Sequence, residues 1–285
     1  MHLLLALDGS DESMEAARFL SRFPLSGQHK VTLVNALDLV LDEGGVMLEK
    51  FEVEKARAQK ILNKATVILQ SRGFETGQVI ESGHPSRLIL DKGKELDVDL
   101  IVMGARGHSA AYRVILGSTA NFVANHARCP VLIVRPSRES PADDAKFRVL
   151  LAYDGSPSAE IAREQLFSCA WPPESTIITL ATFFEKPRLL SNEDVYDQKA
   201  IDEGGKVLAE IRAQAGCKCE IRQVVQETRH IGDALRNLAE QNADLLFVGA
   251  TGKSAIARFF LGSISRYLLH HTMASVWIAR NKEWD

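Results

Sequence analysis

Leu3-Leu4-Leu5-Ala6-Leu7-Asp8-Gly9-Ser10 returns later in the chain as Val149-Leu150-Leu151-Ala152-Tyr153-Asp154-Gly155-Ser156. An apolar run that ends in Asp-Gly-Ser reads as a buried strand turning tightly into a helix. A second pair repeats the message: Asp97-Val98-Asp99-Leu100-Ile101-Val102-Met103-Gly104-Ala105-Arg106-Gly107 against Asn242-Ala243-Asp244-Leu245-Leu246-Phe247-Val248-Gly249-Ala250-Thr251-Gly252. Asp154 stands 146 positions after Asp8, and Gly249 stands 145 after Gly104, so one register holds across a whole domain. Val131-Leu132-Ile133-Val134-Arg135 and Val276-Trp277-Ile278-Ala279-Arg280 close the two copies. The period is far longer than the roughly 50 residues of a solenoid or propeller repeat, so this is a duplicated domain. Pro136 to Asp144 is polar and proline-flanked, as a linker should be. The expected domains are therefore 1–137 and 146–285.

Within each copy, short apolar runs such as Val31-Thr32-Leu33-Val34 lack period-2 alternation, which marks strands covered on both faces. Helical patterns separate them. From Glu49 to Arg72, residues Phe51, Ala58, Ile61, Leu62, Ala65, Ile68 and Leu69 form one stripe, and Gly73 follows as a C-cap. The order β-α-β-α-β-α-β-α-β predicts an α/β fold: two tandem doubly wound domains, each an open, mostly parallel five-stranded sheet with helices on both faces. Ligands of such sheets bind at the carboxyl ends of the strands, where the strand order reverses. Asp8, Gly104, Asp154 and Gly249 fall there.

Composition sets the class and excludes others. The 285 residues are 46% hydrophobic and 25% charged with a net charge of −3, an ordinary globular balance without the basic clusters of a nucleic-acid partner. No apolar run approaches the roughly 18 residues that suggest a membrane span. Met1-His2-Leu3-Leu4-Leu5 has no basic lead and meets Asp8 too early for a signal peptide. Cys129, Cys169, Cys217 and Cys219 form no CxxC and no zinc pattern, so reduced thiols in a cytoplasmic protein are expected. No metal site is expected. His270 and His271 are adjacent on a helix and point in different directions, so they cannot chelate together.

Function is carried by the loop after the strand that ends at Met103. Gly104-Ala105-Arg106-Gly107 is followed by nine residues and then Gly117-Ser118; Gly249-Ala250-Thr251-Gly252 is followed by nine residues and then Gly262-Ser263. Glycines let backbone N–H groups approach an anion without a Cβ in the way. Ser118 and Ser263 precede apolar-periodic stretches, so each reads as an N-cap with its hydroxyl at a positive helix end. On this logic, valine at Gly104 or Gly249 should occupy the space of phosphate oxygens and abolish binding in that half. Two plainer roles stay open beside it: Gly104 and Gly249 serving only tight strand–helix packing, and Asp8, Ser10, Asp154 and Ser156 serving only as turn and helix-cap residues.

The motif G-x2-G-x9-G-S with a strand-one aspartate resembles the ATP-binding branch of the universal stress protein family, and the tandem arrangement is similar to its two-domain members. The resemblance covers essentially the whole chain. It implies an adenine nucleotide alpha hydrolase-like fold and binding of ATP, ADP or AMP, with or without Mg2+. Phosphate contacts would fall on Gly104, Gly107, His108, Ser109, Gly117, Ser118 and Thr119, and on Gly249, Gly252, Lys253, Ser254, Gly262, Ser263 and Ile264. Asp8 and Asp154 would approach the ribose or a metal-bound phosphate. The strand ends at Ala6, Met103, Ala152 and Val248 would frame the site, with the backbone around Ala36 and Thr182 facing the adenine. The last strands, Trp277 among them, pair between domains in that family, which implies an intramolecular pseudo-dimer, as a monomer or a homodimer. The protein partner is not named by the resemblance.

The copies differ. Lys253 stands where the first copy has His108, and a fixed lysine charge beside phosphates favours the second half for tight binding. Gly83-His84-Pro85 keeps the family's G-x-P before a helix, with Pro85 in the first turn, whereas the second copy has Arg229-His230-Ile231. His84 and His230 read as loop histidines rather than catalytic ones. No paired carboxylates, Ser-His-Asp set or Walker loop is found, so a nucleotide-dependent stress-response regulator is expected; a slow ATPase and a scaffold for another small or apolar ligand stay open.

Overall fold

A computed structural model describes residues 1–25, 27–37, 47–107, 116–136, 146–185, 198–252 and 261–284. The chain divides into two compact units. The first comprises Met1–Phe23, Gly27–Pro136 and Asn281–Asp285; the second comprises Pro24–Ser26 and Ser137–Arg280.

The first unit runs β1 (His2–Ala6), α1 (Asp11–Arg22), β2 (Lys30–Leu37), α2 (Met47–Gln70), β3 (Glu75–Ser82), α3 (Pro85–Glu95), β4 (Leu100–Gly104), α4 (Ser118–His126) and β5 (Val131–Val134). Its strands lie in the order β3-β2-β1-β4-β5 and every pair is parallel. Leu3, Leu4 and Leu5 are all fully buried, as successive residues must be in a strand covered on both faces. α1 and α2 pack together, as do α3 and α4. Of the expected α2 stripe, Ala58, Leu62, Ala65 and Leu69 are buried and Phe51, Ile61 and Ile68 are half-buried, and Gly73 turns the chain at φ 84°. Pro85 opens α3 from the first helical position, where its missing N–H costs nothing.

The second unit repeats the plan with β6 (Phe147–Ala152), α5 (Pro157–Ser168), β7 (Thr176–Glu185), α6 (Gln198–Gln214), β8 (Glu220–Thr228), α7 (Ile231–Asn242), β9 (Leu245–Gly249), α8 (Ser263–His271) and β10 (Ser275–Ala279). Its strand order is β10-β9-β6-β7-β8, again all parallel. Trp277 is buried in this unit, stacked on Phe247 at 5.0 Å, and its indole N–H donates to Gln165 Oε1 at 2.7 Å. The four cysteines are free thiols, and no cluster of metal-ligating residues occurs among the described residues. Burial pushes the Cys169 thiol up to about 12. No described helix is long and apolar enough to cross a membrane.

The C-terminal segment belongs to the first unit through specific contacts. The Trp284 indole N–H donates to Val98 O at 2.7 Å, and Lys282 Nζ lies 2.8 Å from both Asp99 Oδ1 and Asp97 Oδ2. Gly93 of α3 makes room for the ring, since a Cβ there would come within 2.9 Å of Trp284. Trp284→Ala removes a hydrogen bond and a half-buried ring, so it should lower the chain's unfolding free energy by about 2 kcal/mol in a urea titration.

Candidate functional site

The strand order reverses between β1 and β4, and the chain leaves both carboxyl ends there as loops. After β1, Gly9 takes φ 87° and Ser10 caps α1, accepting from Ser13 N–H at 3.2 Å. Asp8 Oδ1 accepts from Ser10 N–H at 2.9 Å and from Ser10 Oγ–H at 2.6 Å, which fixes an exposed carboxylate above the sheet. The second unit repeats this turn: Asp154 Oδ1 accepts from Ser156 N–H at 2.9 Å, and Ser156 Oγ accepts from Ala159 N–H at 3.2 Å. The serines cap, and the aspartates keep an accessible edge.

After β4, Gly117 N–H donates to Ala105 O at 2.8 Å and Gly117 becomes the N-cap of α4. Gly262 does the same for α8, donating to Ala250 O at 2.7 Å. Ser118 and Ser263, expected as N-caps, are instead the first helical residues and are exposed. Gly117 is packed closely there, since a Cβ on it would lie 3.3 Å from Ala105 O, a tight contact that favours glycine at the cap and puts the serine one place on. Neither cap supplies a side-chain acceptor, which leaves first-turn N–H groups of each helix directed at whatever sits above it.

Gly104 and Gly249 serve a different purpose from the expected one. A Cβ at Gly104 would come within 2.8 Å of the Glu12 backbone in α1, and one at Gly249 within 2.7 Å of Ser158 in α5. They let the strand end touch the first helix; their missing side chains do not point at the ligand space. Gly107 does face the site, since a Cβ there would overlap Asp8 Oδ2, whereas at Gly252 it would stay 3.5 Å from Asp154 Oδ2. Gly107→Ala should therefore displace the Asp8 carboxylate, while Gly252→Ala leaves Asp154 in place. Crystal structures of both variants check this.

In the first unit Ala6, Asp8, Ala36, Met103, Gly104, Gly107, Gly117, Ser118 and Thr119 line one cavity of about 440 Å³. That volume lies within the range of small-ligand sites. His108 and Ser109 fall outside the described residues. The walls add Pro85, from the Gly83-His84-Pro85 stretch, and Glu54, Arg57, Ala58 and Ile61 of α2 and Ile89 of α3, which the glycine spacing does not select. Ala58 and Ile61 belong to the apolar stripe read from the sequence; Glu54 and Arg57 share their face, but helical spacing alone does not say that the face meets a cavity.

In the second unit Ala152 ends β6, Thr182 lies in β7, Val248 and Gly249 end β9, and Gly252 follows. Gly262, Ser263 and Ile264 open α8, while Lys253 and Ser254 fall outside the described residues. One match needs correcting. Ala6 pairs with Val34, but Ala152 pairs with Ala181. The strand counterpart of Ala36 is therefore Phe183, and Thr182 corresponds to Asn35. Between the first helix and second strand the copies differ by one residue, which a constant offset cannot register.

Beneath the glycine loop the units use different chemistry at the same place. Arg106 pairs with Glu12, its Nε–H donating to Glu12 Oε1 at 2.6 Å, and both side chains are largely buried. The buried Arg135 faces the same pair; burial lowers its pKa, the Glu12 charge opposes that, and the Arg106 charge adds to it. In the second unit Ser158 and Thr251 occupy the places of Glu12 and Arg106, and their hydroxyls meet at 2.7 Å. An ion pair holds one loop to its helix; a hydroxyl pair holds the other.

These features agree with comparisons to known proteins. A universal stress protein of Mycolicibacterium smegmatis is 24% identical over 287 residues, spanning 98% of this chain and 96% of its own length. A Staphylococcus aureus chain named for the same family is 31% identical over 146 residues, 50% of this chain and 87% of its own. A solved universal stress protein from Archaeoglobus fulgidus shares the fold, with a TM-score of 0.71 at 19% identity over 98% of both chains. The universal stress protein family matches residues 1–135 and 147–280, and this chain belongs to it.

Proposed function

We infer that the chain binds ATP, or ADP or AMP, and acts as a nucleotide-dependent regulator in the stress response. One observation carries the reading: in the first unit the described residues of the glycine motif line one cavity, whose floor includes the uncapped N-terminus of α4. Backbone N–H groups and the helix dipole favour phosphate there. Ala6, Ala36, Met103 and Ile61 offer an apolar slot for a flat base. Asp8 suits a ribose hydroxyl, or a Mg2+ whose remaining ligands are phosphate oxygens and water. Nucleotide occupancy would set the conformation of the glycine loop, and through it the choice of partner.

Titration calorimetry of the full chain with ATP, ADP and AMP tests this. Binding tighter than about 1 mM for at least one of them is expected. Heats of dilution alone for all three would refute the reading.

A further inference from the structure

The two units keep the same glycine frame but build different walls around it. In the first unit the side where a base would lie is formed by Ala36 and Leu37 at the end of β2 and by Ala58 and Arg57 of α2. The register of β6 and β7 puts Phe183 and Phe184 at the places of Ala36 and Leu37. Helix α6 aligns with α2 through its buried face, where Gly204, Leu208 and Ile211 match Ala58, Leu62 and Ala65, and the buried Ala215 just past the helix matches Leu69.

That alignment has two consequences. Gly204 replaces Ala58, and the Phe184 ring takes up the space: a Cβ on Gly204 would lie 2.9 Å from its Cε2. That ring packs onto the helix backbone, and Phe183, itself buried, puts a ring where the first unit has only a methyl group. Glu203 replaces Arg57, so an exposed carboxylate stands where the first unit has an exposed guanidinium on its cavity wall; Arg57 lies 3.9 Å from Glu54 on that wall, and Glu203 lies 3.9 Å from Lys199. At the phosphate end, Ile264 replaces Thr119, removing a hydroxyl from the first turn of the helix.

We propose that the chain holds one nucleotide, in the first unit only, and that Arg57 on that cavity's wall is the charge that draws the anionic ligand in. This rests on the adenine-nucleotide reading above and narrows it. Size and charge act together. Phe183 puts a buried ring at the place of the cavity-lining Ala36, Phe184 packs on Gly204 from the opposite face of the strand, and Glu203 repels a polyanion. In the first unit Arg57 attracts one, at the mouth of a cavity lined by small side chains. The lysine that favours the second half on sequence grounds, Lys253, would act only on phosphates whose nucleoside has room to bind.

The test is calorimetric stoichiometry of Mg-ATP on the full-length chain and three variants. Ala36→Phe copies the second unit's aromatic wall into the first, and Arg57→Glu copies its charge from a surface position that folding tolerates. Glu203→Arg reverses the carboxylate in the second unit. The expected result is one equivalent for the wild type, lost in Ala36→Phe at an unchanged melting temperature. Arg57→Glu should weaken it about tenfold or more, and Glu203→Arg should leave it unchanged. Two equivalents on the wild type, or one that survives both Ala36→Phe and Arg57→Glu, would overturn the inference while leaving nucleotide binding intact. No equivalents with any adenine nucleotide would overturn the underlying reading and the inference together.

Discussion

Valine at Gly104 or at Gly249 is expected to destabilise the chain by at least about 3 kcal/mol, because the added atoms collide with backbone that cannot yield. At Gly104 the new Cβ would meet the Glu12 carbonyl carbon at 2.8 Å and Ser13 N at 2.9 Å; at Gly249 it would meet Ser158 backbone at 2.7 Å. Flexible side chains can swing away from such a clash, but the first turn of a packed helix cannot. A suitable control is Gly205→Val in α6, where nothing lies within 4 Å, and which should be neutral or slightly stabilising. Chemical denaturation of the three variants reads the difference directly. If Gly104→Val kept wild-type stability and lost only ligand binding, the glycine would be a ligand-facing residue after all.

Removing the carboxylate of Glu12 should have the second large effect. Glu12→Gln keeps the side chain's shape but leaves the guanidiniums of Arg106 and Arg135 without the negative charge between them, in surroundings where Arg135 is only 4% exposed. Breaking a buried pair from one side costs about 3–5 kcal/mol. The double variant Glu12→Ser with Arg106→Thr installs the second unit's solution, the Ser158–Thr251 hydroxyl pair, and removes one of the two positive charges. It should recover more than half of the loss, since a matched neutral pair is better than an orphaned charge. Equal destabilisation of the single and double variants would mean that the ion pair is incidental to the loop.

Much of the fold and of the site is legible in the amino-acid sequence. Alternation of unpatterned apolar runs with 3.6-period stretches points to the doubly wound fold, and in the first unit the fixed gap between glycine pairs picks out residues that line one cavity. What escapes has physical causes. Ser118 reads as a cap because serine caps well, but close packing of Gly117 against Ala105 O shifts the helix start by one residue. The match of Ala36 with Thr182 fails because one extra residue before β7 is invisible to a constant offset. The Glu12–Arg106 contact joins residues 94 positions apart, beyond the reach of any local pattern. The wall from α2 is missed because helix spacing shows which residues share a face, not which cavity that face meets.

Everything proposed for the glycine loop depends on an adenine nucleotide sitting in the first unit's cavity with its phosphates at the α4 N-terminus. A crystal structure of the full chain grown with Mg-ATP puts that placement to the test. Density for the nucleotide is expected among Asp8, Ala36, Arg57 and Thr119, with phosphate oxygens within about 3 Å of backbone N–H groups at Ser118 and Thr119. Nucleotide bound elsewhere in the chain, or phosphates turned away from that helix, would contradict it.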